Sequence, residues 1–322
     1  MRRSEIYSRV LITAGLLVAL SAPFVARALG SRSAVEIHAR MAGAGGWMPD
    51  VLQAKVGVPL HLRLTSDDVT HGFAIGQSDL AAVDVVPGKM TDLTLIFDRP
   101  GTFTFYCTRW CGPDHWRMRG TIQVTGGKAI DPQPASAPLY LQLGLDIDAP
   151  HPAAVTPDGA PSAQRGAALA GRLSPQYLTP GYYRSHSPAQ VFTELRVDPA
   201  LHSLSDADLW DLVAYIWQSN TTQAGLAAGQ KLFAQNCAAC HGETGSGNGV
   251  FAGDVKALNG KTPANFADSI SMLGASPALL QGKILRGGMG TGMPSWGPIL
   301  TDEQTWEIIG YLYTFQFKEN TR

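Results

Sequence analysis

The sequence predicts a chain of several domains: an N-terminal membrane helix, an all-β sandwich, and then all-α units. Three observations carry that reading. An uncharged run over residues 10–26 follows Arg2, Arg3 and Arg9. Short apolar stretches at near period two, separated by turn residues, fill the region from about 51 to 124. Beyond about residue 163 the apolar spacing becomes helical, with capping residues ahead of the apolar faces. At 322 residues the chain has room for two or three domains. Charged residues are 16%, hydrophobic residues 45%, and the formal net charge is -1, so the basic excess of a nucleic-acid-binding protein is missing.

Residues 1–30 form the first segment. The run is about 17 residues long, the lower limit for a spanning helix. The arginines before it predict a cytoplasmic N-terminus and an exported remainder. Ala26-Arg27-Ala28 also fits the cleavage site of a signal peptide. A retained anchor is the favoured expectation, and both readings put the later domains on the outer face of a bacterial cytoplasmic membrane.

Residues 31–126 hold the predicted sandwich. Strands are expected over 51–56, 60–64 and 93–97, then a turn at Arg99-Pro100-Gly101, then T-F-T-F-Y-C with Phe103 and Phe105 on one face. A closing strand is expected over 120–124. Between the last two strands lies Y-C-T-R-W-C-G-P-D-H-W-R-M, residues 106–118. Cys107, Cys111, His115 and Met118 stand at C-x3-C-x3-H-x2-M. Two soft thiolates, an imidazole and a thioether suit copper better than any hard cation. One copper needs one Cys; two Cys four apart can each bridge a pair of coppers. A second imidazole is then required, and His71 in D-D-V-T-H-G-F supplies it. The competing readings are a zinc site, which rarely takes Met, and a disulfide, which leaves His115 and Met118 unexplained.

With these residues in view, the sequence resembles the binuclear CuA domain of haem-copper oxidase subunit II, a site shared with nitrous oxide reductase. The resemblance implies a Greek-key cupredoxin sandwich. It implies that Cys107 and Cys111 bridge both coppers, that His71 and His115 each cap one, that Met118 is a weak ligand, and that the backbone carbonyl of Arg109 completes the set. Subunit II usually carries Glu or Gln where this chain has Arg109. A carbonyl ligand tolerates any side chain, but that side chain normally faces the catalytic subunit, so the departure bears on docking. His38 and His61 lie outside the motif, and His61 is expected on the solvent side of its strand. Trp47, Trp110 and Trp116 are open between core and surface.

Residues 127–162 are rich in Pro and Ala and read as a linker. An internal repeat follows. Ser187-Pro188-Ala189 opens a stretch ending L-S-D-A-D-L-W-D-L-V-A-Y-I-W, and Ser276-Pro277-Ala278 opens one ending L-T-D-E-Q-T-W-E-I-I-G-Y-L-Y. Ser205 and Thr301 are the expected N-caps, each with an acidic first turn. The first copy has no C-x-x-C-H. Residues 163–222 are therefore expected to be a cytochrome-c-like unit without haem, the alternative being a plain helical spacer.

Residues 223–322 hold Cys237-Ala238-Ala239-Cys240-His241, the attachment motif of c-type haem. The four cysteines of the chain are thus all assigned to cofactors. Gly229-x3-Phe233 looks like the first helix of a class I cytochrome c. His241 is expected as one axial ligand of iron and Met293, in Gly292-Met293-Pro294-Ser295-Trp296-Gly297, as the other, with Met289 as competitor. A His/Met pair raises the haem potential relative to bis-His ligation.

Anchor, CuA domain, linker and C-terminal cytochrome c together resemble subunit II of caa3-type oxidases. That resemblance implies an electron-input subunit of cytochrome c oxidase. Its partners would be an external electron donor and a polytopic haem-copper catalytic subunit, which would hold the O2-reducing site. No nucleophile constellation or phosphate loop is present in the sequence, and no catalytic residue is assigned. The alternatives are a subunit of a CuA-type nitric oxide reductase and a free periplasmic electron carrier.

Overall fold

The computed structural model describes residues 12–13, 34–78, 80–112, 114–127, 137–288 and 291–317. The expected membrane helix therefore lies almost wholly outside the described residues, as does Met289. Among the described residues no helix is long and apolar enough to cross a membrane.

Among the described residues nine strands form two sheets: β1 (Val35–Ala39), β2 (Trp47–Met48), β3 (Val51–Lys55), β4 (Leu60–Ser66), β5 (His71–Ile75), β6 (Val83–Val85), β7 (Thr91–Leu95), β8 (Gly101–Cys107) and β9 (Arg119–Thr125). One sheet runs β2-β1-β4-β7 and the other β3-β9-β8-β5-β6. Pairings β1·β4 and β3·β9 are parallel and the rest antiparallel. The alternating strands behave as period two demands: in β4, Leu60, Leu62 and Leu64 are buried while His61 faces solvent. His61 rests on Thr94 at 3.0 Å, on the outer face. β5 has no alternation because all five of its residues are buried. It lies inside its sheet, between β8 and β6. The sandwich core joins Phe73 and Phe105, 5.3 Å between ring centroids, with Trp47 edge-on to Phe73 at 5.5 Å.

The helical half begins after residue 137. Ser187, Ser205 and Thr301 each close a capping box with Gln190, Asp208 and Gln304, so these three helix starts are satisfied by side chains at fixed spacing. Helix Ala163–Leu169 crosses helix Asp206–Ser219, and helix Gln223–Asn236 crosses helix Asp302–Tyr313. Both crossings turn on a glycine. A Cβ at Gly166 would lie 2.0 Å from the Asp211 carbonyl oxygen; one at Gly229 would lie 2.1 Å from that of Glu307. Tyr215 and Tyr311 stand at the matching places, 2.9 and 3.1 Å from those Cβ positions.

Most of the helices after residue 137 pack on one hydrophobic core, distinct from that of the sandwich. Trp217 from the earlier unit meets Tyr313 from the later at 5.5 Å. Part of the Pro/Ala-rich segment is fixed on this core: Ile147 is buried, Leu139 N donates to Gln281 Oε1 at 3.2 Å, and Ala153 N donates to Ile270 O at 2.7 Å. The Arg286 guanidinium grips both carboxylate oxygens of Asp148, at 2.5 and 2.7 Å.

Candidate metal and haem centres

Opposite Cys107 in the ladder stands Phe73, so the start of β5 sits beside the loop that leaves β8. This register sets His71 against that loop. His71 Nδ1 is 3.7 Å from Cys107 Sγ, and His115 Nδ1 is 3.3 Å from Cys111 Sγ. The two sulfurs are 3.9 Å apart. Met118 Sδ lies 3.3 Å from Cys111 Sγ, and the Arg109 carbonyl oxygen 3.2 Å from Cys107 Sγ. All six expected ligand groups thus converge on one spot. His71, Cys107, Cys111, His115 and Met118 are all buried. Each sulfur has its own imidazole, which is the layout a pair of metal ions needs.

The surroundings fit a metal as well. Asp68 Oδ1 accepts from His71 Nε2 at 2.7 Å, which fixes the ring and leaves Nδ1 facing the sulfur. Burial works against the Asp68 charge, but His71 and the backbone N–H groups of Met41 and Val69 outweigh it and lower its pKa. Burial likewise opposes protonation of His71, yet Cys107 and Asp68 together raise its pKa. The Cys107 thiol is driven down to about 2, chiefly by the Cys111 sulfur, with His115 and His71 adding to it. The same contact drives Cys111 up. The contact thus favours a thiolate on Cys107, the form in which a soft metal is bound.

Three supporting residues escaped the sequence reading. Trp47 is core, and its Nε1 donates to Met118 O at 3.1 Å, pinning the end of the loop. Asp68, three residues before His71, could have been found from the D-x-x-H spacing. Arg119 follows Met118 directly and reaches into the helical half. The Arg109 side chain bends back to Asp84 of β6, with contacts of 2.5 and 2.8 Å, and is exposed.

The haem motif lies at the end of one helix of the helical half. Cys237 caps helix Gln223–Asn236, and the short helix Ala238–His241 carries the rest. His241 stacks on Phe266 with centroids 4.6 Å apart, and its Nδ1 donates to Ala264 O at 3.0 Å. Nε2 is thereby the nitrogen left for iron, and burial keeps the ring neutral by lowering its pKa. Burial also pushes Cys237 up to about 12 and raises Cys240, so both remain thiols. Met293 is half-buried against the same core, and its carbonyl accepts from Gly288 N at 3.1 Å. The remaining histidines make local contacts: His38 with Asp67, His151 with Ala149 O, His186 with Tyr182 and Ser185, His202 with Pro199 O.

Residues 50–125 match the family model described as cytochrome C oxidase subunit II, periplasmic domain, and residues 224–312 match the one described as cytochrome C oxidase, cbb3-type, subunit III. One stretch of the chain is thus similar to a subunit II periplasmic domain and another to a cytochrome subunit of an oxidase. The first match contains His71 and the whole 107–118 motif; the second contains the C-x-x-C-H and Met293. Cytochrome c oxidase subunit 2 of Thermus thermophilus is 34% identical over 84 residues, which is 26% of this chain and 62% of that protein. Nitrous-oxide reductase of Ralstonia nicotianae is 41% identical over 74 residues, 22% of this chain and 11% of that one. This chain therefore spans under two thirds of those relatives. The periplasmic domain of subunit II of cytochrome oxidase from Bradyrhizobium japonicum superposes with a TM-score of 0.26 at 19% identity, covering 30% of this chain and 86% of that domain. Copper and haem c are the cofactors that the donors of these two domains fit.

Proposed function

We propose that this chain is the electron-input subunit of a respiratory haem-copper oxidase. In that role it takes electrons from an external donor, passes them between haem c and binuclear CuA, and delivers them to a polytopic catalytic subunit that reduces O2. The observation that carries the reading is the doubled donor set: two sulfurs 3.9 Å apart, each with its own imidazole. When bound, copper and haem c supply reversible one-electron chemistry. The protein's part is to hold and insulate them. His71, Cys107, Cys111, His115, Met118 and the Arg109 carbonyl would hold the copper; Cys237 and Cys240 would bond the haem, with His241 and Met293 on its iron. The rigid sandwich keeps the copper ligands nearly fixed while charge changes, and burial keeps water away.

The same proposal divides the chain into an anchor at 1–30, a CuA domain at 31–126, a connecting segment at 127–162, a haemless unit at 163–222 and a cytochrome c domain at 223–322. The anchor would hold the other domains on the periplasmic face of the cytoplasmic membrane. Gentle purification from native membranes, with mass-spectrometric identification of what co-purifies, tests the role. A stoichiometric polytopic haem-copper subunit is expected, and its gas substrate can then be assayed. Recovery of the chain alone and soluble, with both cofactors, would make it a shuttle instead. Separately, Cys111→Ser is expected to abolish the mixed-valence copper signal and leave the haem spectrum intact; persistence of a binuclear signal would overturn the ligand set.

A further inference from the structure

The sandwich and the helical half meet at the copper loop, beside the segment that follows Met293. Arg119 Nη1 donates to Ser295 O at 2.7 Å, and its guanidinium carbon sits 5.3 Å from the Trp296 ring centroid. Ser295 and Trp296 are two and three residues after Met293. Gln77 N donates to Ile299 O at 2.8 Å, and Gln77 Nε2 to Gly297 O at 2.5 Å. A Cβ at Gly76 would lie 2.4 Å from Pro298 O, so the two backbones are in direct contact there. Trp110 and Trp116 of the copper loop both stand edge-on to Phe251, at 5.0 and 5.1 Å. A small cleft is lined together by Cys107, His115, Met118, Tyr106, Trp116, Arg119, Trp296 and Ile299. Trp296 is thus one layer of side chain from three of the copper ligands.

Arg119 is the odd member of this junction. It forms no ion pair among the described residues, Nη2 has no hydrogen-bond partner there, and burial lowers its pKa. An unpaired, largely desolvated cation is costly to keep. A Leu or Val at this strand position would join the two apolar surfaces at less cost, so stability alone does not account for an arginine.

We propose that Arg119 is a positioning residue that locks the Met293 loop of the haem domain onto the copper site, through the Ser295 carbonyl and the Trp296 ring, and so sets the geometry of electron exchange within the chain. The idea rests on the proposed function and names the side chain that governs its internal step. That step would be a plain one-electron exchange: the haem that Cys237, Cys240, His241 and Met293 would hold would lose one electron and the copper pair would gain it, with no bond made or broken. Arg119 does not carry the electron. It holds the two surfaces at a fixed separation, and its positive charge, set beside the copper ligands, favours the more electron-rich state of that site.

The test uses the full chain with both cofactors. Arg119→Leu, Arg119→Lys and Gln77→Ala are compared with the unaltered protein by hydrogen exchange at residues 295–299 and at the Gln77 amide. The rate of internal equilibration after photochemical injection of one electron and the midpoint potential of the copper centre are measured alongside. Arg119→Leu is expected to speed exchange at 295–299, to slow internal transfer by roughly tenfold or more, and to lower the copper potential. Arg119→Lys, which keeps the charge and can reach a carbonyl, is expected to restore the potential and part of the rate. Gln77→Ala leaves Arg119 in place and is expected to speed exchange and slow transfer by a smaller factor, with no change in potential; it stands as the test should Arg119→Leu fail to fold. Transfer and exchange unchanged in Arg119→Leu, or unchanged in Gln77→Ala where Arg119→Leu cannot be made, overturns the proposal. A chain that binds copper and haem normally and transfers electrons regardless of Arg119 defeats this inference alone, whereas a chain that binds neither defeats the proposed function.

Discussion

Two pairs of helices in this molecule cross in the same way and do different things. Ala163–Leu169 lies on Asp206–Ser219 through Gly166, and Gln223–Asn236 lies on Asp302–Tyr313 through Gly229, where an added Cβ would fall 2.0 and 2.1 Å from a facing carbonyl oxygen. Only the second pair continues into C-x-x-C-H. The first helix of the earlier pair has 7 residues and that of the later pair 14, so the earlier copy stops before the place where the haem motif would begin. The partner tryptophans have diverged as well: Trp210 is buried and stacked on Phe192 at 4.6 Å, whereas Trp306 is partly exposed beneath the Arg184 guanidinium at 4.2 Å. The lesson is that the crossing is a packing unit in its own right. The crossing alone brings no haem motif; the loop after the second crossing carries it.

The comparison can be broken most forcefully at the seam. Trp217 belongs to the earlier copy but touches Tyr183, Tyr313 and Phe317. Trp217→Ala should cost about 4 kcal/mol and lower one shared melting transition, read by calorimetry with the haem band followed alongside. Two separate transitions would mean that the copies do not share a core. The crossings come next. Gly166→Val and Gly229→Val each force a side chain into backbone, at about 3 kcal/mol. Equal losses in thermal midpoint would sharpen the equivalence; a tolerated Gly166→Val would end it. Asp211 gives a smaller effect that the other copy lacks. It is almost wholly buried and accepts from Ser162 N and from Arg165. Asp211→Ala should cost about 2 kcal/mol by chemical denaturation, with the haem spectrum unaltered.

The smallest effect distinguishes the two caps. Asp208 is held below its usual range, first by the Ser205 hydroxyl and then by the Ser205 backbone N–H. Its folded pKa lies under the unfolded value near 3.8, so the cap's contribution is full above that value and fades as pH falls through the folded one. The other cap uses Gln304, which does not titrate. Acidification should therefore fray the start of Asp206–Ser219 and spare that of Asp302–Tyr313, by under about 1 kcal/mol, as read from amide exchange. Asp208→Asn should flatten the pH dependence.

Much of the site was legible because its ligands are close in sequence and chemically unusual. Five of the six copper donors fall within twelve residues, 107 to 118, and C-x-x-C-H is contiguous. His71 needed only the inference that a second imidazole must exist. β4, β8 and β9 were legible from alternation, since each has one wet face. β5 was not, because a strand buried on both faces has no period to read. Trp47 and Arg119 were hidden for another reason. Their partners lie 71 and 176 residues away, and no local pattern encodes a tertiary contact.

The fixing of residues 139–153 on the helical core changes the arithmetic of the tether. From Gly127, beside Val56 of the sandwich, to Leu139, bonded to Gln281 of the helical half, only eleven residues intervene along the chain. The twelve steps from one to the other reach at most about 42 Å. If the copper and haem halves separate, each stays within that reach of the other, and their reassociation is intramolecular. Return is then a first-order event that dilution cannot slow. Salt weakens it far less than it would an encounter between free proteins, since no long-range steering is required. The strap thus acts as a leash, and the two redox halves keep a nearly constant supply of one another whatever the protein concentration around them.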